Sequence, residues 1–254
     1  ARARAGLGNP LDRRAGTDRL VPVFHPWETG CDDSPRWDAW TEGSGLIGRW
    51  KERKGELVAA LVVDDQGFAL DSTEFRVESC GFNALVAWNI AELDRVGEAG
   101  TDLATGAAEL RGVIADRWSA EDRTWVDDSP SGGVRTADAM LCLLVDPRAE
   151  AIEELASPDA FAAPFGIRGV HAGEPTYDPD TYWRGPSWPQ LDYLLVLALI
   201  AAEATDEASA LGSASVRGAI TSDWAEYWNA DDGTGGGAMP QTWTALALVV
   251  DALG

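Results

Sequence analysis

Between positions 25 and 38 the sequence reads HPWETGCDDSPRWD, which sets the carboxylates of Glu28, Asp32, Asp33 and Asp38 among the indoles of Trp27 and Trp37. Carboxylates held between flat aromatic rings suit a ligand with a C–H face to stack and hydroxyls to bind, which describes a sugar. Tryptophan occurs 12 times in the chain. Trp183, Trp188, Trp228 and Trp243 stand in or beside two further loop-like stretches, EPTYDPDTYWRGP and NADDGTGGGAMP. A carbohydrate ligand is expected. For any single indole the plainer alternative is packing in the core.

Other chemistries find less support. Asp32-Asp33 could open an acidic metal-binding motif, but that motif needs a further aspartate at helical spacing, and position 36 is arginine. His25 and His171 are the only histidines and neither has a partner at HxxxH spacing, so each is expected to be a hydrogen-bonding structural residue. No metal site and no cofactor are expected. Cys31 has no histidine close in sequence to make it a nucleophile, and a buried spectator thiol is expected there. Gly233 to Gly237 lack the Lys-Ser/Thr that would follow in a phosphate loop, so this run is expected to be a flexible turn closing near a pocket.

The elements that must position these residues are set by composition and periodicity. A chain of 254 residues with 45% hydrophobic and 24% charged content can bury a full core, and a single domain is the simplest count. The formal charge of -22, from 42 acidic and 20 basic residues, repels polyanions, so nucleic acid and anionic membranes are not expected as partners. Such a surface also suits high salt, where screening removes self-repulsion. Cys31, Cys80 and Cys142 lie far apart without CxxC spacing, which fits a reducing compartment, the cytoplasm. No apolar run reaches the roughly 18 residues of a membrane span, and no signal peptide is expected.

Phe82, Leu85, Val86, Ile90 and Leu93 recur at helical steps, as do Leu103, Ala107, Leu110 and Ile114, and each set predicts a helix with one apolar face. Further helices are predicted at TADAMLCLLVD from Thr136, PRAEAIEELA from Pro147, SWPQLDYLLVLALIAAEA from Ser187, Ala208 to Trp228, and QTWTALALVVDAL from Gln241. Strand signals are thin and limited to pieces such as RTWVDD. Helices joined by Pro-, Gly- and Asp-rich connections predict an all-α fold of antiparallel helix pairs, with the loops as the place for function.

Taken in order, HPWETGCDDSPRWD, FRVESCGFNALVAWNIAEL, YDPDTYWRGPSWPQLDYLL and WAEYWNADDGTGGGAMPQTWTALALVVDAL resemble blocks of a clan of (α/α)6-barrel glycoside hydrolases. Among these the chain is most similar to the mannosylglycerate and glucosylglycerate hydrolases, and more distantly to processing α-glucosidases and trehalases. The resemblance implies inverting hydrolysis of a small α-glucoside or α-mannoside, with Asp32 as general acid and Glu226 as general base. Inversion wants the two carboxyls roughly 6.5 to 9.5 Å apart, with room for a water. Asp32 would hold a proton for the glycosidic oxygen, and Glu226 would stay ionised to activate the water.

By the same resemblance Asp33 is an orienting residue and the rival acid. Tyr182, Trp183, Arg184, Gly185 and Trp188 match the loop that walls the sugar subsite, and His25, Trp27 and Glu28 line that cavity. Arg184 either meets an anionic aglycone such as glycerate or pairs internally with a carboxylate like Glu28. Domains of this family carry several helices ahead of the first block, which here begins almost at once. The expectation is therefore that residues 1 to 254 form the C-terminal part of one catalytic domain. A missing N-terminal segment or a partner chain would complete the barrel. The competing reading is an incomplete, non-catalytic carbohydrate-binding helical module.

Overall fold

The computed structural model describes Arg14 and residues 20–40, 47–97 and 99–253. The chain divides into two compact units, one of Ala1–Ser119 with Trp125–Val134, the other of Ala120–Thr124 with Arg135–Gly254. The described residues are mostly helical with a few short strands, the helix-rich composition that the periodicity predicts.

In the first unit the two periodic segments form the helices Cys80–Arg95 and Thr101–Asp116, which pack on each other. Ser79 caps the first of them, its hydroxyl accepting from the Phe82 amide. The buried Asn83 side chain takes over the backbone pairing of Val21, accepting from its amide at 2.7 Å and donating to its carbonyl at 3.0 Å. Ahead of them lie the helix Ile47–Ala59 and an antiparallel hairpin of Leu61–Val63 with Ala69–Ser72. Periodicity gives neither of these. Val23, Trp37, Trp50, Leu57, Phe75 and Val77 form a buried cluster that holds the acidic stretch against this scaffold.

The second unit is built on the helix Pro189–Ala201, which packs on the helices Thr205–Thr221 and Leu246–Leu253 and on the 3-10 turn Ala139–Leu144. Its run of Leu, Val, Ala and Ile is apolar on every side, as suits a central helix. Thr205–Thr221 is polar and rich in small residues, and small residues are what its packing requires. A β-carbon at Gly218 would collide with the indole of Trp228, and one at Gly212 would press on Val250.

Three sequence expectations change. The stretch from Thr136 forms a 3-10 turn in place of an α-helix. The helix expected to run to Trp228 stops at Thr221, and Tyr227–Trp228 is a strand paired with Gly235–Gly236. The glycine run is thus an ordered strand edge in place of the flexible turn expected from composition.

Candidate active site

In the first unit the structure brings His25, Trp27, Glu28, Asp32 and Asp33 onto one short segment. Pro26–Thr29 is a 3-10 turn capped by His25, whose Nδ1 accepts from the Trp27 amide at 3.1 Å. That leaves Nε2 to carry the proton, and it meets the Lys54 carbonyl at 3.0 Å. Burial holds the His25 imidazole below its ordinary range, with the Lys54 carbonyl and the Glu28 charge pulling the other way. The Glu28 carboxylate accepts from Arg14 at 2.5 Å and from the Phe24 amide at 2.6 Å. Trp27 stands 54% exposed beside the His25 ring and is the open aromatic face of this cluster.

Asp32 and Asp33 share one cation. Lys54 Nζ lies 2.9 Å from Asp33 Oδ1 and 3.4 Å from Asp32 Oδ2, and its stem is buried beside Trp50. The Trp50 indole in turn donates to the Asp32 carbonyl at 2.7 Å. Of the two carboxylates Asp32 is the more accessible, 26% against 13% for the side chain. The sequence alone does not single out Lys54 and Trp50. They sit on the helix Ile47–Ala59, where the one available signal is that Lys51 and Lys54 are the only lysines. The three residues that follow Asp33 are anchored from below. Buried Arg36 pairs with Asp127, donates to the hydroxyl of Ser79 at 3.1 Å, and lies over the Trp37 ring. Cys31 is buried and forms no disulfide.

In the second unit Tyr182, Trp183, Arg184, Gly185, Trp188 and Glu226 are brought together. Asp178 organises the loop, accepting from the Thr181 hydroxyl at 2.7 Å and from the Asp180 amide at 3.1 Å. These bonds, the Thr181 hydroxyl first, hold its carboxyl below the usual range, helped by the neighbouring Arg184 charge. A β-carbon at Gly185 would collide with the Asp178 carbonyl. The close backbone approach that Gly185 permits is thus one within the loop itself. Trp183 and Trp188 stack in parallel at 3.7 Å, and Tyr182 and Tyr227 pack on Trp188 at 5.1 and 4.8 Å. Trp188 is 1% exposed and backs the other rings.

Glu226 stands immediately before the strand Tyr227–Trp228, beside this stack. The backbones of Ser187 and Trp228 exchange two hydrogen bonds, of 2.7 and 3.2 Å, which fix the strand against the aromatic loop. Oε2 of Glu226 accepts from the Ala238 amide at 3.0 Å, and the Trp243 indole donates to the Glu226 carbonyl at 3.1 Å. Oε1 accepts no hydrogen bond among the described residues. Trp243, 40% exposed, is a second open ring face that the sequence places near the loops without a role.

Among the described residues no group of three or more His, Cys, Asp and Glu side chains is placed to hold a metal ion, and no helix is long and apolar enough to cross a membrane. A cavity of about 390 Å³ in the second unit is lined by Leu155, Ile167, Leu199, Leu211 and Arg217, and none of the candidate residues lines it.

Residues 11–244 match the mannosylglycerate hydrolase MGH1-like glycoside hydrolase domain. The chain is 28% identical to a mannosylglycerate hydrolase of Rubrobacter radiotolerans, covering 95% of this chain and 64% of that protein. It is 27% identical to a glucosylglycerate hydrolase of Mycolicibacterium hassiacum, covering 92% and 62%. The fold matches that of the GH63 mannosylglycerate hydrolase from Thermus thermophilus in complex with glucose, with a TM-score of 0.77 at 20% identity, over 98% of this chain and 66% of that one. For the complex of that enzyme with Tris and D-glycerate the TM-score is 0.78 at 17% identity, over 99% and 72%. The chain thus spans less than two thirds of the length of the curated relatives it matches. With a family match that runs through the acidic stretch, the aromatic loop and Glu226, the chain belongs to the family of mannosylglycerate hydrolase MGH1-like glycoside hydrolase domains.

Proposed function

We propose that the chain forms the C-terminal part of a catalytic domain of the (α/α)6 toroid type, one that acts as an inverting glycoside hydrolase on a small α-glucoside or α-mannoside of glycerate. The observation that carries this reading is the setting of Glu226. One carboxylate oxygen is anchored by a backbone amide and the other accepts no hydrogen bond among the described residues, beside a wall of aromatic rings. A base that must take a proton from water needs a fixed orientation and one available oxygen. In this reading Glu226 is the general base. Asp32, the more accessible of the two carboxyls held by Lys54, is the general acid that protonates the leaving oxygen.

Asp33 and Lys54 orient that acid. Sugar contact is assigned to His25, Trp27 and Glu28 in the first unit, and to Tyr182, Trp183, Arg184 and Gly185, with Trp188 behind them, in the second. The substrate class rests on the relatives, which are named mannosylglycerate and glucosylglycerate hydrolases. The reaction needs water alone as co-reactant.

Proton NMR of the protein mixed with glucosylglycerate, mannosylglycerate, trehalose and short α-glucosides tests the proposal. An initial β-anomer from an α-linked glycerate glycoside is the expected result. An initial α-anomer would overturn inversion. Tight binding of the same sugars with no release from any of them would replace the hydrolase by a carbohydrate-binding module.

A further inference from the structure

A buried acid outside the cluster of candidate residues stands beneath the loop that carries them. Asp192 lies in the first turn of the helix Pro189–Ala201 and is fully buried. Its carboxyl accepts from the Ser187 hydroxyl at 3.1 and 3.3 Å and from the Ile167 amide at 3.4 Å. Ser215 on the neighbouring helix faces the same group without reaching hydrogen-bond geometry. A β-carbon at Gly166 would lie 2.8 Å from Asp192 Oδ2 and would also strike the Ser187 hydroxyl, so this packing depends on the absence of a side chain there.

Ser187 is the residue whose amide and carbonyl both pair with Trp228, two positions after Glu226. Next to Ser187 in the chain, Trp188 packs on Tyr227, one position after Glu226. On the far side of the strand, Ala238 pairs with the Glu226 amide and donates to its carboxylate. A continuous set of short contacts therefore leads from Asp192 through Ser187 and Trp228 to Glu226. A buried carboxyl is costly to keep, and a structure that only needed to fill this space could use an apolar residue.

We infer that Asp192 is a positioning residue: through the Ser187 hydroxyl it fixes the turn that holds the Trp228 strand, and so sets the placement of the Glu226 carboxylate. The mechanical part of this stands on contacts alone. Its link to catalysis rests on the proposal that Glu226 is the base.

Hydrogen exchange on the full chain and on Asp192→Asn and Asp192→Ala reads the mechanical part without substrate. In Asp192→Ala the amides of Ser187, Trp228 and Ala238 are expected to exchange at least about tenfold faster, while the helix Cys80–Arg95 is unchanged. Asp192→Asn, which keeps polar atoms in the same place, should recover most of the protection. Unchanged exchange at those three amides in a folded Asp192→Ala overturns the inference. So does an equal increase along the whole Pro189–Ala201 helix, the result of a residue that only supports the core. Should Asp192→Ala fail to fold, Ser187→Ala removes the hydroxyl alone and is held to the same local outcome.

With an α-linked glycerate glycoside, kcat of Asp192→Ala should fall at least about tenfold with KM within about threefold of the parent, and Asp192→Asn should regain it. Faster local exchange with unaltered kcat would sever Asp192 from Glu226. Absence of turnover in the parent chain would count against the hydrolase reading, while exchange would still decide the role of Asp192.

Discussion

Gly237 makes room for the carboxylate of Glu226: a β-carbon at position 237 would lie 2.8 Å from the Glu226 Cβ and collide with Oε2. Its φ of +73° also lies in the left-handed region. Gly237→Ala is therefore expected to cost about 1 to 2 kcal/mol of stability through the backbone alone. It should also lower kcat by about 100-fold by displacing the proposed base. Steady-state kinetics beside a urea titration check both, and parental kcat would show that the Glu226 orientation is immaterial.

Asp32→Asn and Glu226→Gln should each reduce kcat by roughly 100- to 10,000-fold with little change in thermal unfolding. Asp33→Asn should lose less, because its assigned task is to orient. Initial rates on one substrate suffice to rank the three. A larger loss at Asp33 than at Asp32 would exchange their roles.

Lys54→Met keeps an apolar stem against Trp50 while removing the cation that Asp32 and Asp33 share. The two acidic side chains are then left without their shared cation, and a loss of roughly 1 to 3 kcal/mol is expected. Activity should drop at least about tenfold as the pair loses its fixed geometry. A variant as stable and active as the parent would show that the ion pair contributes nothing.

Arg36 and Asp127 form an ion pair with both side chains almost wholly buried. Removing one partner strands the other, so Arg36→Met is predicted to destabilise by about 3 to 5 kcal/mol. Asp127 also accepts from the Cys80 amide at 2.8 Å. Asp127→Asn should therefore be milder, and the double variant far from additive, as chemical denaturation of the four proteins would reveal.

Burial pushes the Asp192 carboxyl up from 3.8 to about 7, against the Ser187 hydroxyl and the Ile167 amide, which pull it down. The folded chain thus keeps this proton over a range where the unfolded chain has lost it. The associated stability is complete below the unfolded value, declines as pH rises, and is gone above about 7. Its full size is on the order of 4 kcal/mol. Stability of the parent relative to Asp192→Asn should fall from pH 4 to pH 7 and then level off. A flat difference across that range would mean that Asp192 is ionised throughout.

The helices Cys80–Arg95 and Thr101–Asp116 are legible in the sequence because their apolar residues return at steps of three and four. The helix Ile47–Ala59 is not: it carries Arg49, Lys51, Glu52, Arg53, Lys54 and Glu56 and meets the core mainly through Trp50 and Leu57, too few positions to set a period. Lys54 is lost with it. The strand Tyr227–Trp228 reads as the end of a helix because its pairing partner is two glycines, which carry no strand signal. Motif residues such as Asp32, Tyr182 and Glu226 can be read from their local sequence. Their supports, Lys54, Asp192, Ser187 and Gly237, take their meaning from contacts distant in sequence and become visible only in three dimensions.

The burial of Lys54 against Trp50, Asp32 and Asp33 reaches into the chemistry of labelling. The sequence offers two lysine amines, Lys51 exposed on the helix surface and Lys54 enclosed. An amine-reactive reagent should therefore modify the folded chain at Lys51 quickly and at Lys54 slowly. Of the two lysines, Lys51 becomes the ready handle for tethering the protein to a surface or a dye, beside any α-amine, and the lag at Lys54 becomes a covalent footprint of whether the Asp32 and Asp33 cluster is intact.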